Sequence, residues 1–416
     1  LYNIVPQEPV EYLRFVLSRI AGKTLLIKSS QFIEEIKTCN SQMQRRELDR
    51  LIEKAPRNLA EIFFRYKPIF LSLKSVSNNK SFFNRLRKEA DSMHKPLPED
   101  YLNSITSRIK QGRPLSDLEE RLKSASIFRK IRLANALRFR LTNPQSIVYK
   151  IRNGKSWVDD FIAKNPEETK RALDIVLDSI KINKTVYVPE YIDYALPATE
   201  KQFIGNIPAN TKISVRDNLM VGVYWKNVEG KRIDLDFSSI DLTGKVGWNS
   251  VYKSDDEEVL YSGDMTDAKN GASELLYFGK DNKKVCALFL NYYNFSEYSP
   301  VQAKIFVASE KPENFEENYV ANNIIVQSDF IVEQKQYFIG LVYGNSLYLS
   351  ASSIGKSNVS GGRLADKTRE YLLNSTTSAL KLSEVVNVVH EEGDYLDLSP
   401  EKLEKNSIIE LITRGK

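Results

Sequence analysis

The apolar positions along this chain change their spacing near residue 185. Upstream they recur at three- and four-residue steps. In EPVEYLRFVLSRIAG, Val10, Leu13, Val16, Leu17 and Ile20 form one stripe, which predicts a helix stopping at Gly22. APRNLAEIFFRYKPIFLSL repeats the pattern with Leu59, Ile62 and Phe63 and, beyond Pro68, with Ile69 and Phe70; SFFNRLRKEADSMH follows it too. Asp100 stands where a helix should start, Ser116 and Glu119 have capping-box spacing, and Asn165 precedes Pro166 as cap and first helical residue. The expectation for residues 1–184 is an all-α array of about eight short helices, HEAT-like in outline but without a strict repeat.

Downstream the pattern alternates. KTVYVPEY, KISVRDNLMVGVYW, KRIDLDF, KVCALFLNYYNF, AKIFVAS, NNIIVQSDFIV and QYFIGLVYGNSLYLSAS favour β-branched and aromatic residues, with polar turns between them. No crossover helices intervene, so residues 185–355 are expected to form an antiparallel β-sandwich. Residues 356–416 then read as a Gly/Ser linker and a small α/β tail, with a helix in RLADKTREYLLNSTTSAL. The whole is a multidomain α + β chain.

Composition narrows the class. The 416 residues suffice for two or three domains at roughly 100–200 residues each. No apolar run approaches the roughly 20 residues of a membrane-spanning helix, and a cytoplasmic location is the expectation. The chain opens at Leu1 without a signal-peptide pattern, and a trimmed N-terminus is expected. Cys39 and Cys286 are its two cysteines, too few for a disulfide framework or a Cys-based metal site. The net charge of +6 conceals a split: residues 1–184 carry 36 Lys and Arg against 21 Asp and Glu, a net of +15, and the remainder carries −9. Such a split suits different partners for the two parts.

One acidic stretch raises a chemical question. SGDMTDAKNGASELLYF holds Asp264, Asp267, Asn270 and Glu274, and RIDLDF places Asp234 and Asp236 two apart, on one face of a strand. Like charges on one face repel unless a cation or a base lies between them. A hard cation such as Ca²⁺ takes six to eight oxygens, which loops at one end of a sandwich can bring together. The alternative is a set of solvated strand-end and turn residues.

The series GVYWK, RIDLDFSSI, GKVGW, YSGDMT, GASELLYF and LFLNYYNFSEY resembles the TerD-type domain of bacterial tellurium-resistance and stress-response systems. QYFIGLVYGNSLYLSASSIG resembles that family's closing hairpin, so the likeness covers roughly residues 205–355. The resemblance implies a calcium-binding β-sandwich that works as a binding module and not as an enzyme. Position by position, Asp234 and Asp236 match its DLD element and Asp264 its GD. The family's acidic loop ends in consecutive acidic residues, whereas this chain has Ala272, Ser273 and Glu274, so only Glu274 survives from that cluster. Fewer carboxylates mean weaker binding. A divergent branch, in which a helical region precedes the domain, matches better through Trp225 and the SGD followed by GA-x-E.

The basic half offers a second surface. Arg121, Lys123, Arg129, Lys130, Arg132, Arg138, Arg140, Lys150 and Arg152 run without an intervening acid, and Phe128, Phe139 and Tyr149 are interleaved. Such a run attracts phosphate backbones, RNA among them. It equally suits an acidic protein surface, including the −9 part of this same chain, and no RNA-binding signature accompanies it.

Catalytic constellations are missing from the pattern. His94 and His390 lie far apart, GKS at 355–357 lacks the earlier glycine of a phosphate-binding loop, and no GxGxxG occurs. Trp157, Trp225 and Trp248 are expected in cores. The sequence thus predicts a non-catalytic, calcium-responsive scaffold with protein partners, of tellurite-resistance or stress-response type. A nucleic-acid-binding protein is the alternative, as is an assembly component, phage-encoded for instance.

Overall fold

The computed structural model describes residues 4–23, 31–93, 100–152, 155–296, 299–353 and 363–414. His94 and the expected linker at 355–362 lie outside them. The chain divides into two compact units, Leu1–Glu99 and Asp100–Lys416. The change in periodicity near residue 185 marks something else, a change of secondary structure inside the second unit.

The first unit is helical among its described residues: α1 (Pro9–Ala21), α2 (Gln31–Thr38), α3 (Gln42–Ile52), α4 (Lys67–Val76) and α5 (Lys80–Met93). The stripe on α1 is buried at Leu13, Val16, Leu17 and Ile20, and Gly22 ends the helix in the left-handed conformation. These residues join Leu48, Phe63, Phe70 and Leu86 in a core of their own.

The second unit opens with α6 (Tyr101–Lys110), α7 (Leu118–Lys123) and α8 (Ile127–Thr142). Asp100 caps α6, accepting from the Asn103 amide at 3.2 Å. The Ser116 capping box does not form: Asp117 occupies the cap of α7, and Ser116 turns its hydroxyl to Asp117. A hairpin follows, β1 (Gln145–Arg152) against β2 (Lys155–Ile162), where an all-α region was expected. QSIVYKIR and KSWVDDFI alternate in strand fashion, a short two-residue period set between longer helical stripes. The last helix of this group is α9 (Pro166–Asp178), preceded by Asn165, whose amide donates to the Ile109 carbonyl instead of capping.

Fifteen strands then follow: β3 (Thr185–Tyr187), β4 (Ile192–Asp193), β5 (Phe203–Ile204), β6 (Ile207–Pro208), β7 (Lys212–Ser214), β8 (Leu219–Trp225), β9 (Leu235–Ile240), β10 (Lys245–Gly247), β11 (Val259–Tyr261), β12 (Ala272–Phe278), β13 (Cys286–Tyr292), β14 (Val301–Ser309), β15 (Ile324–Val332), β16 (Gln336–Tyr343) and β17 (Ser346–Ser353). All but β3, β5 and β6 build two antiparallel sheets, ordered β10-β9-β13-β16-β17-β7-β4 and β11-β12-β8-β14-β15. Trp225, Phe237, Leu276, Leu288 and Val307 from both sheets share one apolar core. Gly222 lies opposite Phe306 on β14, and a Cβ there would sit 2.2 Å from the ring, so only glycine admits the pair.

The C-terminal segment returns across this body. It comprises α10 (Arg363–Thr377), β18 (Asn387–Val389), β19 (Leu396–Asp397) and α11 (Ser407–Arg414). β18 and β19 pair in parallel on either side of β3. Leu380, Leu382, Leu398, Leu411 and Ile412 enter the core that also holds Ile131 and Leu137 of α8 and the sheet residues. The tail is therefore packed into the second unit. Its firmest polar tie is Arg138, whose two guanidinium nitrogens both reach the Glu384 carboxylate, one at 2.8 Å. The pair is three-quarters buried, where a bidentate bond is strong and a lone survivor is costly.

All three tryptophans lie in the second unit, so their fluorescence follows its unfolding alone. Arg138→Ala is expected to destabilise that transition by about 2 kcal/mol in urea, leaving Glu384 unpaired. A change below about 0.5 kcal/mol would show that the tail is held by its apolar contacts only.

Candidate metal centre

Three carboxylates meet at one end of the two sheets. Asp234 immediately precedes β9, Asp236 lies within it, and Asp264 comes from the connection between β11 and β12. Each offers an oxygen within 4.8 Å of the other two. Asp234 and Asp236 are 3% and 2% exposed, and Asp264 is half-buried. Alternation along the strand explains the first pair, since residues two apart project to one face. The third arrives through tertiary structure.

Glu274 provides that link. From β12 it is fully buried between the sheets. One carboxylate oxygen accepts from the Phe237 amide at 2.6 Å, the other from the Met265 amide at 2.9 Å. Phe237 follows Asp236 and Met265 follows Asp264. A single side chain therefore sets the spacing of the two segments that carry the cluster. Glu274 is thus a positioning residue, with both oxygens engaged by backbone.

The cluster is poorly compensated. Asn291, opposite Asp236 on β13, donates to Asp236 Oδ2 at 2.7 Å. Arg232 approaches Asp234 Oδ2 at 3.6 Å from a mostly exposed position, too far for a hydrogen bond. Asp234 Oδ1 and Asp264 Oδ1 are buried without a hydrogen-bond partner. Lys245, the next base, turns away to Asn249 and over the Trp248 ring.

The electrostatic consequence is uniform. Burial pushes Asp236 up to about 7, with Asp234 and Asp264 adding to the rise and the Asn291 bond and Lys245 opposing it. Burial raises Asp234 as well, helped by Asp264 and opposed by Arg232. Asp264 rises through burial and the charge of Glu317. Burial lifts Glu274 well above the usual carboxylate range despite its two amide donors. Tyr261 is raised by burial and by Glu274. Buried oxygens that repel one another and lack donors are what a hard divalent cation satisfies, and its entry would expel the protons they hold.

The six residues expected to ligate a cation thus separate. Asp234, Asp236 and Asp264 converge, and Glu274 stands behind them. Asp267 is exposed and closes its own turn, accepting from Asn227 Nδ2 at 2.7 Å and the Lys269 amide at 3.1 Å. Asn270 is exposed in the same turn. Neither belongs to the carboxylate cluster. Asn291 and Arg232 were not foreseen as site residues, although Asn291 sits in the NYYN stretch that entered the family resemblance.

Several members of the basic run have partners within the chain. Lys123 pairs with Glu120, Arg129 with Asp100 and Arg138 with Glu384. Lys130 donates to the Ser179 carbonyl at 3.4 Å and Arg140 to that of Ala136 at 2.6 Å. Arg121 and Arg132 are exposed. Lys150 and Arg152 fall in β1, and their side chains lie outside the described residues. His390 is exposed, its Nδ1 2.8 Å from the Val188 carbonyl. Among the described residues no helix is long and apolar enough to cross a membrane.

No family model matches this chain, and neither a curated protein nor a solved structure does.

A carboxyl whose pKa is higher in the folded than in the unfolded state weakens the fold once pH exceeds the unfolded value. In EDTA, raising the pH from about 4 through 7 should therefore cost stability through Asp236. Asp236→Asn should raise the melting temperature at pH 8 and flatten its pH dependence, by about 2–4 kcal/mol. A variant less stable than wild type at pH 8 would contradict this. Glu274→Gln should lose about 2 kcal/mol, because its amide NH₂ would face one of the two backbone donors.

Proposed function

We propose that this chain is a non-catalytic, calcium-responsive binding protein, with Asp234, Asp236 and Asp264 as the protein ligands of the ion. The observation that carries the reading is the convergence of three carboxylates from two separate segments, two of them with a buried oxygen that no donor satisfies. Hard oxygen ligands suit Ca²⁺ or Mg²⁺ rather than softer metals. Calcium fits better, because its longer and less regular coordination tolerates an irregular loop-and-strand site. Three carboxylates, with waters completing the shell, give modest affinity, in keeping with a sensor rather than a permanent structural ion.

The resemblance to the TerD-type domain supports the same reading from the sequence side. On that basis the chain belongs to a stress-response or tellurite-resistance type of system, with the ion setting the geometry of a protein-binding surface. The nucleic-acid alternative is weakened, since five of the nine basic residues of residues 121–152 are engaged within the chain, as pairs or carbonyl donors. An assembly role draws on no particular observation.

Thermal unfolding of the full chain tests the proposal. Calcium at about 100 times its dissociation constant should stabilise wild type by about 2.7 kcal/mol. Asp264→Asn should show little calcium-dependent shift. Melting temperatures unmoved by millimolar calcium in both proteins would overturn it.

A further inference from the structure

A further carboxylate, Glu317, lies beside the chain next to Asp264, outside the group of three whose oxygens already meet. Residues 310–323 connect β14 to β15 across the outer face of the five-stranded sheet. Phe315 and Tyr319 anchor this connection, packing on each other and, through Phe315, on Tyr277. Glu310 braces it, accepting from the Tyr319 hydroxyl at 2.8 Å and from the Asn322 and Asn323 amides at 2.8 and 2.6 Å. Between these anchors Glu317 overhangs Gly263, the residue before Asp264. A Cβ on Gly263 would lie 2.5 Å from Glu317 Cγ and 3.5 Å from its Oε1, and Gly263 has φ +129°. Any other residue at 263 would be strained and would displace Glu317.

Glu317 therefore sits against the residue that precedes Asp264, with a like charge one residue along the chain. Its own side chain is exposed, so it keeps the freedom to move. Gly263 and Glu317 also line one cavity of about 590 Å³ together with Tyr252, Tyr261 and Phe315.

We propose that Glu317 is the fourth carboxylate of the cation site, an arm that closes on an ion held by Asp234, Asp236 and Asp264. This inference rests on the calcium reading above. Binding then fixes residues 310–323 against the cluster and sets the mouth of the tyrosine-lined cavity. A local charge event thereby becomes a change of surface. The second observation behind it is Asp234, nine-tenths buried, with an oxygen that lacks any donor and is turned to the same cluster.

Calorimetric titration of the full chain with calcium alone, paired with hydrogen exchange, tests the assignment. Glu317→Gln should weaken calcium binding about tenfold, because affinity follows the number of ligand charges. Glu316→Gln, the neighbouring exposed control, should leave it within about twofold, as removal of an unligated surface charge does. Calcium should slow exchange over residues 311–320 in wild type and not in Glu317→Gln. If Glu317→Gln binds like wild type, or if Glu316→Gln loses as much, Glu317 is no ligand, while the three-aspartate site stands. If wild type takes up no calcium, both this inference and the calcium reading fall.

Discussion

The structure around the candidate site depends on one buried carboxylate. Glu274 crosses from one sheet to the other and takes a backbone amide on each oxygen. Those amides belong to the residues directly after Asp236 and Asp264. The side chain thus forces two acidic segments into proximity that their charges oppose. A protein that only needed to close this end of the fold would satisfy the same amides with backbone carbonyls. Instead four carboxyl groups crowd one place, each raised by burial. That arrangement is unfavourable in isolation and becomes favourable when a doubly charged ion enters.

The rest of the second unit supplies rigidity. Two sheets share a core that also takes in α8, α9 and the returning C-terminal segment. β13 pairs along the whole of β9 while β10 holds only its far end, Ser238 to Ile240, so Asp236 is fixed from the β13 side. Asn291 on β13 reinforces its orientation. By contrast, Asp264 comes from a connection and Glu317 from an overhanging segment, the two places where the site can adjust. On the proposed reading the strand pair stays fixed and the two arms adapt to the ion, whose coordination geometry is flexible.

Parts of this were legible in the sequence and parts were not. Alternation in RIDLDF predicted that Asp234 and Asp236 share a face, because a two-residue period is a local property. The helical stripe of α1 with its glycine stop was legible for the same reason. The family resemblance put Asp264, through its GD, ahead of Asp267 in SGDMTDAKNG, while hydrophobic periodicity did not separate them; the first lies half-buried in the cluster and the second closes its turn. Glu274 itself was read as a ligand, since a carboxylate near two others looks alike whether it faces an ion or backbone amides. Glu317 lies 43 residues beyond Glu274 in an unremarkable polar loop, and only the space over Gly263 marks it. The hairpin at β1 and β2 was hidden among helices. Likewise the basic run suggested one surface because the partners of Arg129 and Arg138, Asp100 and Glu384, are far away in sequence.

The central claim is that these oxygens converge on a cation. Its most direct test is the anomalous scattering of a crystal grown with millimolar calcium. The account predicts one strong peak bonded at about 2.3–2.6 Å to an oxygen from each of Asp234, Asp236 and Asp264. An empty cluster under those conditions, with the Arg232 guanidinium drawn in to bond Asp234 in place of an ion, would contradict it.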